Sequence, residues 1–351
     1  MFRSLKAVSR AALATVALTI GLVAAQVQPW AQEVTLKVHH FLPPPSVAHA
    51  KFMQPWADKV EQDSGGRIKV EIYPAMQLGG KPPQLFDQVR DGVADVIWTV
   101  AGYTAGRFPT IEVFELPFVP GSAEATSQAA QEFYETYARE EFAEVHPLMV
   151  HVHAPGLFHM KDKPITALED LEDAKVRAPT RVINGALEAL GATPVGMPVP
   201  AVPEAISKGV VDGAMLPYEV TLPLRVHELT NSHTEIGGPR GLYTAVFLFA
   251  MNKARYDSLP DDLKAVIDAN SGLALAKRIG AVWDAAEAPG RAKAEKLGDA
   301  FHVIEGAELE RWKTATQPVV DDWVAAMNAA GKDGPALLEA ARALVAKYSG
   351  E

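Results

Sequence analysis

VTLKVHHFLPPPSVAHAKFMQPWADKVEQDSGGRIKVEIY, residues 34–73, decides the fold. Val34 to Phe41 alternates apolar and polar side chains, the period of a strand. Pro43-Pro44-Pro45 breaks it, and Ser46 is a good N-cap for a helix running to about Ser64. Gly65-Gly66 stops that helix, and Arg67 to Tyr73 alternates again as a second strand. Working outward, Gln77-Leu78-Gly79-Gly80 makes a turn, Pro83 to Asp91 a helix, and Ala94 to Val100 a short buried strand. The order is β-α-β-α-β, the mark of an α/β protein with a mostly parallel sheet and helices on its faces.

A second region of this kind follows. Pro147 to His153, Lys175 to Ala178 and Gly213 to Leu216 read as strands. Asn184 to Leu190 and Ala201 to Lys208 read as helices. Residues 89–96, VRDGVADV, echo residues 206–213, ISKGVVDG: Gly92 matches Gly209 and Asp95 matches Asp212. Two readings fit, namely two similar lobes or a common helix-to-strand turn met twice. The last third is helical: Asp261 to Asn270, Leu275 to Leu297, Glu305 to Ala330 and Pro335 to Lys347 carry apolar residues at three- and four-residue spacing.

The amino end differs. Arg3, Lys6 and Arg10 precede an apolar run from Ala11 to Ala25, shorter than the roughly 20 residues that span a bilayer. With the small residues Val23-Ala24-Ala25 it reads as a secretory signal over residues 1–31, cleaved after Ala25 or Ala31. An uncleaved anchor is the alternative. Removing three positive and no negative side chains takes the formal charge from −10 to −13. Such a surface repels nucleic acid and anionic lipid, so no nucleic-acid partner is expected and any anion site must be a local basic pocket.

Zero cysteines exclude disulfides, thiolate nucleophiles and lipoprotein acylation. Gly-x-Ser-x-Gly, phosphate-loop, Gly-x-Gly-x-x-Gly and His-Glu-x-x-His signatures are absent. His151 and His153, two apart on a strand, share a face; with His146 and His159 they admit a zinc reading, against which stand ordinary polar or surface histidines. No cofactor or metal is expected.

Taken in order, the stretches resemble the periplasmic solute-binding subunits of TRAP transporters, of the DctP type. The resemblance runs through residues 37–41 (KVHHF), 65–70 (GGRIKV), 77–80 (QLGG), 91–95 (DGVAD) and 116–118 (LPF). It continues through 163–171 (KPITALEDL), 175–179 (KVRAP), 191–195 (GATPV) and 211–213 (VDG). It implies a two-lobed periplasmic-binding-protein (Venus-flytrap) fold with a hinge, a lobe-spanning long helix and a helical C-terminal region. Lobe I is then 32–154 with about 243–282, lobe II about 155–242 with 283–310, and residues 311–351 are helices packing on both. It further implies a periplasmic, non-enzymatic protein that passes a small organic acid to an integral-membrane permease, as a monomer or a helix-swapped dimer.

In this family the Arg of the Lys-Val-Arg-x-Pro motif, here Arg177, holds the ligand carboxylate. Guanidinium is planar, permanently charged and matches a carboxylate with two parallel hydrogen bonds. Ligands of open α/β sheets sit beyond the carboxyl ends of strands. Those ends supply His40, Phe41, Trp98, Tyr103, Leu216, Pro217 and Tyr218, and Gln77 lies on a loop that faces the cleft in relatives. Phe158 and His159 stand where sialic-acid binders place a second Arg, and Leu216 replaces their Asn. That favours a monocarboxylate, such as a 2-oxo, 2-hydroxy or aromatic acid. His159 or Arg181 are candidates for a second contact to a dicarboxylate. An ABC-type or metal receptor, a sensing role and a secreted α/β enzyme are the alternatives.

Overall fold

The computed structural model describes residues 33–351, so the expected signal segment lies outside the described residues. Strand β1 (Val34–His40) pairs in parallel with β2 (Ile68–Tyr73) and β3 (Val96–Val100). A π-helical turn at Ala48–Met53 leads into the helix Gln54–Asp63, which buries Trp56, Ala57 and Val60. Gly65 and Gly66, at φ 64° and 83°, end it in the left-handed region that glycine enters without a Cβ clash. All five residues of β3 are buried, as expected of a central strand covered on both faces. β4 (Val145–Val152) forms the far edge of this sheet.

The chain then crosses to a second sheet, laid down by β5 (Leu157–Met160), β6 (Lys175–Ala178), β7 (Thr193–Gly196), β8 (Gly213–Leu216) and β9 (Ser232–Ile236). It returns as β10 (Val246–Asn252), antiparallel between β3 and β4, and crosses again to β11 (Ala300–Ile304). The strand orders are β2-β1-β3-β10-β4 and β11-β9-β5-β8-β6-β7. Two α/β lobes are therefore joined at three crossings, and no flexible tether is involved.

The echo seen in the sequence is one device used twice. Gly92 and Gly209 have φ of 78° and 69°. Val93 N–H donates to Gln88 C=O at 2.8 Å, and Val210 N–H to Ala205 C=O at 2.9 Å. Asp95 Oδ2 accepts from Lys37 N–H at 2.8 Å, and Asp212 Oδ2 from Lys175 N–H at 2.8 Å. The strands that follow take the same register, Val38 opposite Val96 and Val176 opposite Gly213.

The third crossing is the helix Gly272–Leu297, 26 residues and so about 39 Å long. It touches both lobes through glycine. A Cβ on Gly280 would lie 2.5 Å from Ala123 C=O in the first lobe, and one on Gly290 would lie 2.4 Å from Tyr218 C=O in the second. Between them Asp284 accepts from Ala123 and Glu124 N–H at 2.7 and 2.9 Å, and Glu287 from Tyr218 and Glu219 N–H at 2.9 Å each. One helix thus caps a helix start in each lobe, satisfying donors that have no intrahelical partner. Helix Gly306–Ala329 sets Trp312 edge-on to Phe158 in the second lobe and donates from Trp323 to Pro109 C=O at 2.8 Å in the first. Helix Gly334–Ser349 packs Leu337, Leu338, Ala341 and Val345 back onto the first lobe. Among the described residues no helix is long and apolar enough to cross a membrane.

Two helices begin three residues earlier than their periodicity indicates, the long one at Gly272 and not at Leu275. The expected Asn184 start is at Arg181, because Thr180, in extended conformation at φ −136°, already serves as N-cap after Pro179.

Candidate functional site

The carboxyl ends of β1, β3, β6 and β8 converge on a cavity between the lobes. Its first-lobe wall is aromatic. Phe41 stacks on Trp98 at 4.9 Å and 14°, and Trp98 stacks on Phe247 at 4.6 Å and 5°. The Trp98 indole N–H donates to His151 Nε2 at 2.8 Å, which fixes the ring. Tyr103 meets Phe41 edge-on at 5.6 Å. These offset and edge contacts suit the quadrupoles of the rings and leave a flat, dry face toward the cavity.

Arg177 closes the opposite side. It sits in the middle of β6, opposite Val195 on one neighbour and Ala214 on the other, so its backbone is fixed from both edges. The residue is 2% exposed. Its Nε donates to Met197 C=O at 3.0 Å and its Nη1 to Met215 C=O at 3.1 Å. Burial pulls its pKa below the ordinary arginine value, and the groups that oppose this are the hydroxyls of Tyr103 and Tyr243, with no carboxylate among them. A buried cation without a counter-charge is costly, so the site is built to accept an anion.

The surrounding polar groups agree with that polarity. Tyr103 oxygen accepts from Val199 N–H at 2.9 Å, which leaves its own proton to give. The Tyr243 hydroxyl is buried and has no partner. His153 Nε2 accepts from Ala245 N–H at 3.1 Å while Nδ1 faces Ala154 C=O, so the ring is a neutral tautomer. Burial lowers its pKa to about 4. One hydrogen bond draws the lobes together beside the cavity: Thr180 Oγ1 donates to Glu115 Oε2 at 2.6 Å, and Glu115 Oε1 is held within its own lobe by Val246 N–H at 3.0 Å. A Cβ on Gly102 would lie 2.4 Å from Thr180 Cγ2, so only glycine permits that approach.

Of the residues picked out in the sequence, Arg177, Phe41, Trp98, Tyr103, Leu216 and Pro217 line the cavity. The other five do not, and each is corrected by a specific partner or position. His40 Nε2 is held by His49 at 3.0 Å and its Nδ1 accepts from Leu42 N–H at 3.3 Å. Gln77 lies exposed on its loop. Phe158 points into the second lobe's core against Trp312. His159 is locked between His233 Nδ1 at 2.8 Å and Leu216 C=O at 3.2 Å. Tyr218 donates to Glu235 at 3.1 Å. Arg181, raised for a second carboxylate, pairs instead with Glu112, its Nε 2.8 Å from Oε1. Among the described residues no group of three or more His, Cys, Asp or Glu is placed to hold a metal ion.

Tyr243, His153, Phe247 and Glu219 also line the cavity. Reading strand carboxyl ends missed Tyr243 and Phe247, because β10 is antiparallel and brings its amino end to the cleft. Glu219 follows Tyr218 in the first turn of a helix, where the strand rule has no reach. No local motif marks any of the three.

Two α/β lobes, three crossings and a central cavity with one buried cation define a two-lobed binding-protein architecture. The family model for bacterial extracellular solute-binding proteins, family 7 (DctP), matches residues 38–326, and the chain belongs to that family, the solute-binding proteins of TRAP transport. Solved structures agree. A marine-metagenome TRAP solute-binding protein specific for aromatic acid ligands, with 3-hydroxybenzoate bound, is 55% identical with TM-score 0.89, covering 90% of this chain and 99% of its own. A TRAP protein from Rhodoferax ferrireducens T118 with copurified benzoate is 51% identical with TM-score 0.88, covering 90% and 98%. One from Bordetella bronchiseptica with bound mandelate is 29% identical with TM-score 0.83, covering 89% and 99%.

Proposed function

We propose that this protein captures an aromatic monocarboxylate in the periplasm and presents it to the membrane permease of a TRAP transporter. The observation that carries the reading is Arg177, buried and without a counter-charge, facing the stacked rings of Phe41, Trp98 and Phe247. The carboxylate forms a two-pronged ion pair with the guanidinium, and Tyr103 and Tyr243 donate to the same oxygens. The ring of the acid lies against the aromatic wall. Arg177 is the one cation among the cavity's lining residues, His153 being neutral, which favours one carboxylate over two. The aromatic acids held by the relatives at 55% and 51% identity support the same class.

The ligand touches both lobes, so it stabilises the closed form over the open one by its differential contacts. Glu115, reaching Thr180 across the gap, is placed to assist that closure. The expected leader over residues 1–31 would route the chain to the periplasm.

Calorimetry with a panel of acids tests this, alongside mass spectrometry of whatever is released on denaturation. Benzoate and its analogues are expected to bind, with succinate and glucuronate weaker by at least about a hundredfold. A preference for dicarboxylates or sugar acids would overturn the proposal.

A further inference from the structure

The cavity holds a further unmet polar group besides the arginine. Two buried side-chain oxygens in its lining have no hydrogen-bond partner: Tyr243 hydroxyl and Glu219 Oε2. Tyr243 acts on Arg177 and belongs with the carboxylate. Glu219 does not. The groups acting on its carboxyl are Glu287 and the Trp283 indole, while those acting on Arg177 are the two tyrosines. Both residues line the same cavity, Arg177 from β6 and Glu219 from the short helix after β8.

Glu219 is held in place. Its backbone N–H donates to Glu287 Oε1 at 2.9 Å, and Tyr218 N–H before it to Glu287 Oε2 at 2.9 Å. The residue is 6% exposed. Burial, reinforced by Glu287, pushes its carboxyl up to about 8, so at neutral pH it is mostly the acid. The Trp283 indole N–H faces it without closing a hydrogen bond. A carboxylic acid both donates and accepts, as a hydroxyl does. Such a buried pair of capacities discriminates for a ligand that supplies the matching group and against one that lacks it.

We propose that Glu219 is a specificity-determining residue that reads a hydroxyl on the ring of the bound aromatic acid through its buried, unpartnered carboxyl. The inference rests on the aromatic-acid reading above and adds to it the substituent. Glu219 also borders an outer groove with Lys51, Leu222 and Pro289, and a carboxyl turned to that side would leave ligand choice unaffected.

The experiment is calorimetry of the full mature chain with benzoate and its three monohydroxy isomers, on the wild type, Glu219→Leu and Glu219→Gln. At least one isomer should bind the wild type about tenfold more tightly than benzoate, the size of one net hydrogen bond. Glu219→Leu should abolish that preference, read as the ratio of isomer to benzoate affinity within the same variant. Glu219→Gln, which still donates and accepts, should retain most of it. Equal affinities for benzoate and every isomer in the wild type, or a preference that survives Glu219→Leu, would overturn the inference alone. Failure of benzoate and all three isomers to bind the wild type would overturn the aromatic-acid reading beneath it. A Tm measured for each variant separates lost binding from lost folding.

Discussion

The two lobes build the same strand-turn-strand unit and end it differently. In each, a helix stops at a glycine with positive φ, and an aspartate accepts from the backbone of the neighbouring Lys-Val strand. In each the next residue of that strand, His39 or Arg177, is buried. His39 is satisfied within its own lobe: its ring accepts from Leu78 N–H at 3.3 Å and meets Gln88 Oε1 at 2.7 Å. Arg177 finds two carbonyl oxygens and no acid. The scaffold is therefore shared, and the site is made by leaving one lobe's strand end incomplete. A closed hydrogen-bond set gives a lobe stability; an open one with a charge leaves a cost that an anion would relieve.

The largest test of that contrast is Arg177→Ala against His39→Gln. The arginine variant should lose about 2–5 kcal/mol of aromatic-acid binding, the cost of breaking a buried charge pair. The histidine variant should bind as the wild type does in the same calorimetry. Comparable losses in the two would erase the distinction.

Acidity probes the contrast next. The first lobe keeps His40 and His151 neutral with pKa values of about 3 and His153 of about 4, and the second keeps His159 at about 3, burial being the main cause in each. A depressed folded pKa gives stability that is present above 6.5 and lost as pH falls toward 3. Glu115 and Glu219, at about 8, and Glu287, at about 7, are raised by burial from an ordinary 4.5. Their contribution is present below 4.5 and lost as pH rises through 7 to 8. Each group changes stability by about 1 kcal/mol per pH unit inside its window. Between pH 4.5 and 6.5 the two sets oppose one another. The Tm should therefore be nearly level there and fall on both sides, more steeply in acid. A Tm that climbs steadily to pH 9 would show that the carboxyls are not held as acids.

Two smaller effects test whether the shared unit is one device. Gly92→Ala and Gly209→Ala each force a Cβ into the left-handed region, at about 1–2 kcal/mol. The Tm losses should match, and neither should change affinity. Unequal losses would mean that the two turns only look alike. Asp95→Ala and Asp212→Ala should each cost about 1 kcal/mol in chemical denaturation. Only the second should also weaken ligand binding, because it loosens the strand that carries Arg177. Equal affinities in both variants would detach that aspartate from the site.

Much of this was legible beforehand for reasons that are local. Alternation in Val34–Phe41 and Arg67–Tyr73, and the glycines that end their helices, fix elements within a few residues of themselves. The Gly92/Gly209 echo was visible because a turn needing positive φ and an aspartate clamp constrains residue identity directly. Phe158 and His159 were misplaced for a related reason. They point to opposite faces of β5, and neither face reaches the cavity: Phe158 packs on Trp312, and His159 bonds to His233 and Leu216, partners far off in sequence.

The chain's order of elements, its leader-like amino end, its lack of cysteine and its Lys-Val-Arg-Ala-Pro stretch follow from residue identity alone, since each depends on neighbours in sequence. Tyr243, Phe247 and Glu219 came only with the tertiary structure. Tyr243 lies just before β10, Phe247 on it and Glu219 on a short helix, between 42 and 70 residues beyond Arg177 in the chain. They reach one cavity because an antiparallel strand and three lobe crossings bring distant ends together. Whether a buried polar group is satisfied or left open is a property of that assembled space, and no run of neighbouring residues encodes it.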